Sequence, residues 1–309
     1  CASSPPSRRP CEVAIAAATL ARPEGLRQLL GGIARLTFCQ MPEPAIEVVI
    51  VDNSADGSAR PIVEALRPRL RWPIRYHHEP RGGLAHARNA QLAAAPASAR
   101  WLAMIDDDEV PEPQWLEALL TTAERYGAPL VAGPVVPRFL APPPDWAVAG
   151  KYFEVGPLEE GASIDFLYTG NVLVALGPVR THGWRFEQVF NRSGGEDEHF
   201  FRRAIASGLT AVCSARARIV ETIPPERLKL RWLLRRQFRM GTTNAAIDLL
   251  GDPGPRTVLR RLLKGCARIA FGSGLLARWP LAGNAAAVAG LAEICRGAGA
   301  IVGLLGYRH

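Results

Sequence analysis

Three consecutive carboxylates, Asp106, Asp107 and Asp108, close the apolar run over residues 101–105. Adjacent carboxylates repel one another, and a folded chain holds three together only against a counter-charge. A divalent cation bridged to phosphate oxygens supplies one. The apolar run reads as a buried strand, so the acids emerge at its C-terminal end, the edge where open α/β sheets bind ligands. The same residues also fit a solvated turn that opens a helix, because Glu109, Pro111 and Glu112 lead into Trp115 and Leu116.

The elements that must position these acids follow from hydrophobic periodicity. Residues 13–18, 46–51 and 101–105 are short apolar runs, the second rich in β-branched residues, and with the short segment 74–77 they read as strands. Residues 24–36, 59–66, 84–95 and 113–126 have helical spacing, with Leu26, Leu29, Leu30, Ile33 and Leu36 on one face of the first. Alternating strand and helix predict a mostly parallel, doubly wound sheet. Asp52 and the triple aspartate then both lie at strand C-terminal ends. Further strands are expected over 130–136, 166–175 and 211–221, and a helix over 198–207 after Gly194-Gly195. Pro224-Pro225 marks a boundary. The expected organisation is a disordered tail over 1–10, an α/β domain over 11–225 and a basic, apolar helical region over 226–309.

Composition narrows the classes. The chain has 309 residues, 48% of them hydrophobic, enough for a large core. Six cysteines, at 1, 11, 39, 213, 266 and 295, include no CxxC pair, and reduced thiols in the cytoplasm are the simplest account. His77, His78, His86 and His199 lack paired ligand spacing, so no zinc site is expected. Residues 1–10 lack the apolar stretch of a secretory signal. The formal charge is +8, yet residues 227–268 hold eleven Lys/Arg against Asp248 and Asp252, which is +9 in that stretch alone. Such a concentration suits phosphates, as nucleotide, nucleic acid or anionic lipid, unless it is an ordinary solvated helix face. The runs at 279–292 and 297–307 are apolar but shorter than the roughly twenty residues of a spanning helix. They read either as helices in the bilayer interface or as an appendage packed on the core.

Taken together, the motifs resemble a known family. The segments are Val49-Ile-Val-Asp-Asn-Ser-Ala-Asp-Gly57, Gly83-Leu-Ala-His-Ala-Arg-Asn89, Ile105-Asp-Asp-Asp-Glu-Val-Pro-Glu-Pro-Gln-Trp115, Thr169-Gly-Asn171 and Gly194-Gly-Glu-Asp-Glu-His-Phe200. In this order they resemble the inverting family 2 glycosyltransferases of GT-A fold, and within these the succinoglycan-type exopolysaccharide glucosyltransferases. The latter share Asp-Asp-Asp-Glu-Val-Pro, the later Arg-Arg-x-Phe-Arg-x-Gly and a Gly-rich tail. The resemblance implies a metal-dependent transfer of a hexose, UDP-glucose being the expected donor, to a saccharide or lipid-linked oligosaccharide acceptor. It also implies a cytoplasmic enzyme peripheral on the inner face of the membrane, with no nucleic-acid partner.

The resemblance also carries roles to single residues. Asp106 and Asp108 resemble the family's DxD pair. Asp108 would hold the metal, Mg2+ or Mn2+, and the diphosphate, and Asp106 the ribose or a metal-bound water. Alternate residues at a strand end point the same way, which would let these two share a ligand sphere while Asp107 points elsewhere. Asp52 resembles the aspartate that meets the donor's base, although its turn is one residue shorter than usual. Thr19 would touch the same nucleotide, and Arg88 the phosphates. Asp197 resembles the catalytic base, and Glu196 its neighbour that orients acceptor or sugar; without the resemblance, both acids equally suit the helix dipole. Arg236 and Arg239 fall where processive relatives carry Gln-x-x-Arg-Trp. Only Arg239 is kept, Met240 replacing the aromatic platform, which argues against processivity while leaving both arginines able to hold a diphosphate. Trp184 reads as a sugar-stacking face or as core. The competing class is a non-catalytic scaffold binding phosphate or nucleic acid through the basic stretch. A nucleotidyltransferase would need a Gly-rich loop after the first strand, which residues 19–23 lack.

Overall fold

The computed structural model describes residues 11–156, 159–191 and 193–306; the tail expected over 1–10 lies outside them. The elements are β1 (Val13–Thr19), α1 (Pro23–Ala34), β2 (Ile46–Asp52), α2 (Arg60–Leu66), β3 (Ile74–His78), α3 (Leu84–Ala94), β4 (Trp101–Asp106), β5 (Glu109–Pro111), α4 (Trp115–Tyr126), β6 (Leu130–Ala132) and β7 (Val135–Phe139). They continue with α5 (Asp145–Ala149), β8 (Asn171–Ala175), α6 (Leu176–Thr181), α7 (Glu196–Ala206), β9 (Ala211–Cys213), β10 (Ile219–Ile223), α8 (Leu230–Gly251), α9 (Pro255–Ala277) and α10 (Trp279–Leu304). The chain divides into two compact units. The first is the chain up to Val136 with Val155–Gln188 and Phe200–Glu221; the second is Pro137–Glu154, Val189–His199 and everything from Thr222.

The first unit is built on a seven-stranded sheet of order β3-β2-β1-β4-β8-β6-β9. β1 pairs parallel with β2 and β4, while β8 runs antiparallel to β4 and β6. Helices bury their apolar stripes on both faces. Leu26, Leu29 and Ile33 of α1 join Trp115 and Leu119 of α4 on one face, and Ala85 and Ala90 of α3 join Phe200 and Phe201 on the other. Each such leucine contributes about 2 kcal/mol by leaving water. α1 also sets the triple aspartate in place. A methyl group on Gly25 would overlap the Asp107 carbonyl, and one on Gly32 would overlap Val110 and Pro111, so these two glycines seat the helix against the β4–β5 turn.

Three expectations change here. The acids at 106–109 do not open a helix: Glu109–Pro111 forms β5, paired antiparallel with β10 through Glu221↔Glu109, and α4 starts only at Trp115. The run 130–136 breaks into β6 and β7 at Gly133-Pro134, where a Cβ on Gly133 would overlap the Ala217 carbonyl and Asn171, and Pro134 lacks a ladder N–H. The run 211–221 likewise splits into β9 and β10. Among the described residues Cys11, Cys39, Cys213, Cys266 and Cys295 are free thiols.

In the second unit, α8, α9 and α10 pack together. The separate runs at 279–292 and 297–307 are joined in α10, which a kink at Gly283 (φ 77°) divides into a first turn and a continuous helix over 284–304, so the break expected between 292 and 297 is absent. Between the two runs, Glu293 accepts from Arg268 of α9 at 2.5 Å. By length and composition alone α10 can cross a membrane. Four of its glycines face its neighbours. Gly290 and Gly297 lie against Gly272 and Gly265 of α9, and Gly299 and Gly303 against Phe238 and Thr242 of α8. Small residues let helix backbones approach this closely.

Candidate active site

The sheet register lines up the first group of candidate residues. Thr19 is the strand partner of Asp52, and Ala18 that of Asp106, so the ends of β1, β2 and β4 are level. Beyond Asp106 the chain turns, and Asp107 and Asp108 belong to that turn. Their orientation therefore comes from the turn and not from strand alternation. The Asp107 side chain is 6% exposed, whereas Asp106 and Asp108 are 36% and 19% exposed. Thr19 Oγ1 donates to Asp107 Oδ2 at 2.7 Å. Arg22 Nη1 lies 2.8 Å from Asp107 Oδ1 and 3.0 Å from Asp108 Oδ2. Ala21, with φ at 53°, makes the left-handed turn that brings Arg22 back over the acids. Arg88, buried on α3, pairs with Asp106 Oδ1.

Two arginines thus balance three aspartates. Burial works against the Arg22 charge, but Asp107 and Asp108 outweigh it and raise its pKa; burial pushes the Asp107 carboxyl up, with Arg22 and Thr19 opposing. Glu109 is buried and accepts from the Asp106 N–H at 2.8 Å. Burial first, and then the nearby Asp106, Glu221 and Asp108 charges, raise its pKa well above the usual carboxylate range. Among the described residues, no three His, Cys, Asp or Glu side chains converge as an all-protein cage for a metal. Mg2+ and Mn2+ do not need one, since they keep waters and use one or two carboxylates with substrate phosphates. The partly exposed Asp106 and Asp108 fit that role, and Asp107 is too buried for it.

Asp52 is held by the protein itself. It is fully buried, and both its oxygens are engaged by the protein. Oδ1 accepts from the Ser54 N–H at 3.0 Å and Ser54 Oγ at 2.6 Å; Oδ2 accepts from the Ala59 N–H at 2.7 Å and Tyr76 Oη at 2.8 Å. Burial would raise its pKa, but these hydrogen bonds outweigh burial and lower it, while Tyr76 is pushed up to about 12 by burial and by Asp52. The expected contact with a donor base would have to displace one of these hydrogen bonds. A carboxylate has about four lone-pair sites, and Asp52 uses them to close the turn and cap α2. Its neighbour Asn53 fastens the following loop, donating to the carbonyls of Glu79 and Arg81 at 2.7 Å each and accepting from the Gly83 N–H at 3.2 Å.

In the second unit, Glu196 and Asp197 occupy the first turn of α7, with Glu196 buried and Asp197 half-buried. Gly194 and Gly195, at φ 73° and 98°, make the turn into the helix. A methyl on Gly195 would overlap Cγ2 of Thr243, so α8 presses directly on this segment. Glu198 is buried beside it and attracts Arg296 of α10 electrostatically. Arg236 donates to the Tyr152 carbonyl at 3.1 Å and lies over the Trp232 ring, whereas Arg239 is exposed.

A sequence model described as "Glycosyl transferase family 2" matches residues 16–179. The chain belongs to that family. This glycosyltransferase is 36% identical over 234 residues to succinoglycan biosynthesis protein ExoM of Rhizobium meliloti (strain 1021), covering 75% of this chain and 74% of ExoM. It is 25% identical over 235 residues to the glucosyl-dolichyl phosphate glucuronosyltransferase of Haloferax volcanii, covering 69% of this chain and 70% of that protein. Its fold is similar to the crystal structure of S. aureus TarS 1-349 in complex with UDP, with TM-score 0.54 and 14% identity over 96% of this chain and 91% of that one. The UDP-GlcNAc complex of the same protein gives TM-score 0.52 at 12% identity, covering 93% and 90%. The mostly parallel sheet with its C-terminal helical extension is the GT-A fold.

Within this family 2 glycosyltransferase, Thr19, Arg88, Asp106 and Asp108 gather at the sheet's C-terminal edge, with Arg88 holding Asp106. Trp184 had two readings, a sugar-stacking face or core. It is buried in the core against Phe200 and stacked on His182 at 4.7 Å, which fits the core reading. Arg22 was not among the expected residues. Its signal was slight: an arginine beside the strand-ending Thr19, where the run 19–23 reads only as a breaker.

Proposed function

We propose that this glycosyltransferase moves a hexose from a UDP-sugar, UDP-glucose first, to a lipid-linked oligosaccharide in bacterial exopolysaccharide assembly, with inversion at the anomeric carbon. The observation that carries this reading is the joint presence of two half-open carboxylates at a strand-end turn and a half-buried carboxylate on a helix's first turn. Asp197 takes the proton of the acceptor hydroxyl as its oxygen attacks C1. The bond from C1 to the diphosphate oxygen breaks on the opposite face, and UDP departs with that electron pair. Glu196 orients the acceptor. Asp106 and Asp108 would hold Mg2+ or Mn2+, which when bound neutralises charge developing on the diphosphate. Arg88 fixes Asp106, Thr19 fixes the neighbouring Asp107, and Arg239 meets the departing phosphates. The names of the ExoM and glucosyl-dolichyl phosphate relatives support a surface-polysaccharide product and a lipid-borne acceptor. The TarS complexes support a UDP-sugar donor. The enzyme would work from the cytoplasm, peripheral on the inner face of the membrane.

The test is a panel of UDP-hexoses, UDP-glucuronate included, scored by UDP release with a lipid-linked saccharide, with and without EDTA. UDP-glucose turnover that EDTA abolishes supports the reading. Turnover of another donor replaces the sugar, and turnover indifferent to EDTA removes the metal.

A further inference from the structure

We propose that the outward face of α9, continued by Trp279 and Leu281, is the surface by which this protein docks on an anionic lipid bilayer. α9 contains no acidic residue, and it carries Arg256, Arg260, Arg261, Lys264 and Arg268. Its buried positions, Thr257, Gly265 and Gly272, form one stripe, and both glycines meet α10. The other side is open. Leu259 is 55% exposed and Leu263 60%, with Leu262 and Phe271 also exposed, and at the turn into α10 Leu281 is 95% exposed beside Trp279. Contiguous apolar surface of this kind marks an interaction site.

Charge decides the occupant. Arg260 and Arg261 pair with Asp248 of α8 and Arg268 with Glu293 of α10, which ties the flanks of α9 to its neighbours. Arg256 and Lys264 are exposed among the leucines, and Arg278 is exposed beside Trp279. Leucines flanked by cations, with an indole at one end, are what an interfacial helix presents to acyl chains and anionic headgroups. A second copy would set like charges against each other across the same face. α10, the other apolar candidate, has its glycine faces closed by α8 and α9 and serves as the strut behind the docking helix. The purpose of this surface rests on the proposed lipid-borne acceptor, but its existence does not.

The experiment is co-sedimentation of the full chain with phosphatidylcholine vesicles and with vesicles containing phosphatidylglycerol, without donor or acceptor. The wild type should favour the anionic vesicles and lose that preference in high salt. Leu259→Glu with Leu263→Glu should lower partitioning tenfold or more, and Arg256→Glu with Lys264→Glu should remove the preference for phosphatidylglycerol. All four residues are exposed, so the variants keep the wild-type melting temperature and UDP release with a water-soluble acceptor. Undiminished vesicle binding by the leucine variant overturns the proposal. So does membrane attachment that resists alkaline extraction in both variants, which would make α10 a spanning helix. Loss of self-association without loss of vesicle binding would assign the face to a second copy. Failure of every UDP-sugar to turn over would sink the transfer reading and leave the vesicle result standing.

Discussion

Arg22 stands 3.0 Å from Asp108, so a guanidinium already occupies the carboxylate proposed to hold a divalent cation. Arg22 is exposed and reaches in from a left-handed turn, whereas Asp107 beneath it is buried. A cation entering at Asp106 and Asp108 has to compete with it. Arg22→Ala should therefore raise Mn2+ affinity in the absence of donor by about three- to tenfold, the scale of a partly exposed ion pair. Mn2+ electron paramagnetic resonance titration measures this directly, and unchanged or weakened binding would exclude competition.

Asp197 is the proposed base, and it is half-buried on the first turn of α7. Asp197→Asn should keep donor affinity while lowering turnover about 10^2- to 10^4-fold, the usual contribution of general-base catalysis. Calorimetric donor binding and UDP release report the two quantities separately. Parallel losses in both would place the base elsewhere.

Asp52 offers a stability test with a defined sign. Its four hydrogen bonds outweigh burial and lower its pKa in the folded state. That stabilisation is complete above the unfolded carboxyl value of about 3.9 and is lost as pH falls through the lowered folded value. Asp52→Asn should cost about 1–3 kcal/mol at pH 7, because an amide accepts at one atom only and leaves either the Ser54 N–H or the Ala59 N–H facing a nitrogen that cannot accept. Urea unfolding at pH 7 and near pH 3 should show this gap narrowing in acid. A gap that widens in acid would mean that the aspartate is not held ionised.

Gly195 meets two constraints at once, a φ of 98° and the methyl of Thr243. Gly195→Ala should destabilise the protein by about 1–3 kcal/mol and slow turnover, since both the backbone strain and the overlap act on the segment bearing Asp197. Adding Thr243→Ser removes the overlapping methyl and should restore part of the loss, leaving the backbone cost. No recovery in thermal unfolding or UDP release would show that α8 does not brace this turn.

How much of this was legible in the sequence depended on distance along the chain. The buried strand ending in Asp106 is a continuous apolar run, and burial on both faces of a central strand requires no more information than that. The alternation of such runs with helical stripes likewise fixed a mostly parallel, doubly wound sheet, and the ordered motifs carried the resemblance to the family and its GT-A fold. Asp52 was recognisable as important from its turn, but not that Tyr76, Ser54 and Ala59 would consume it. A carboxylate's type says what it can accept, while only its neighbours say what it does accept. Trp184 had two readings until Phe200 and His182 closed around it. The runs at 279–292 and 297–307 read as separate, and Glu293 between them proved to be held by Arg268 of α9. Chain order also gave no sign that Val189–His199 groups with the C-terminal helices. Arg22 and Asp107 are 85 residues apart. Hydrophobic periodicity is a local property and determined the strands, the helices and the edge where chemistry could occur. The pairing of charges across such separations depends on how those elements pack, and only the tertiary structure decided it.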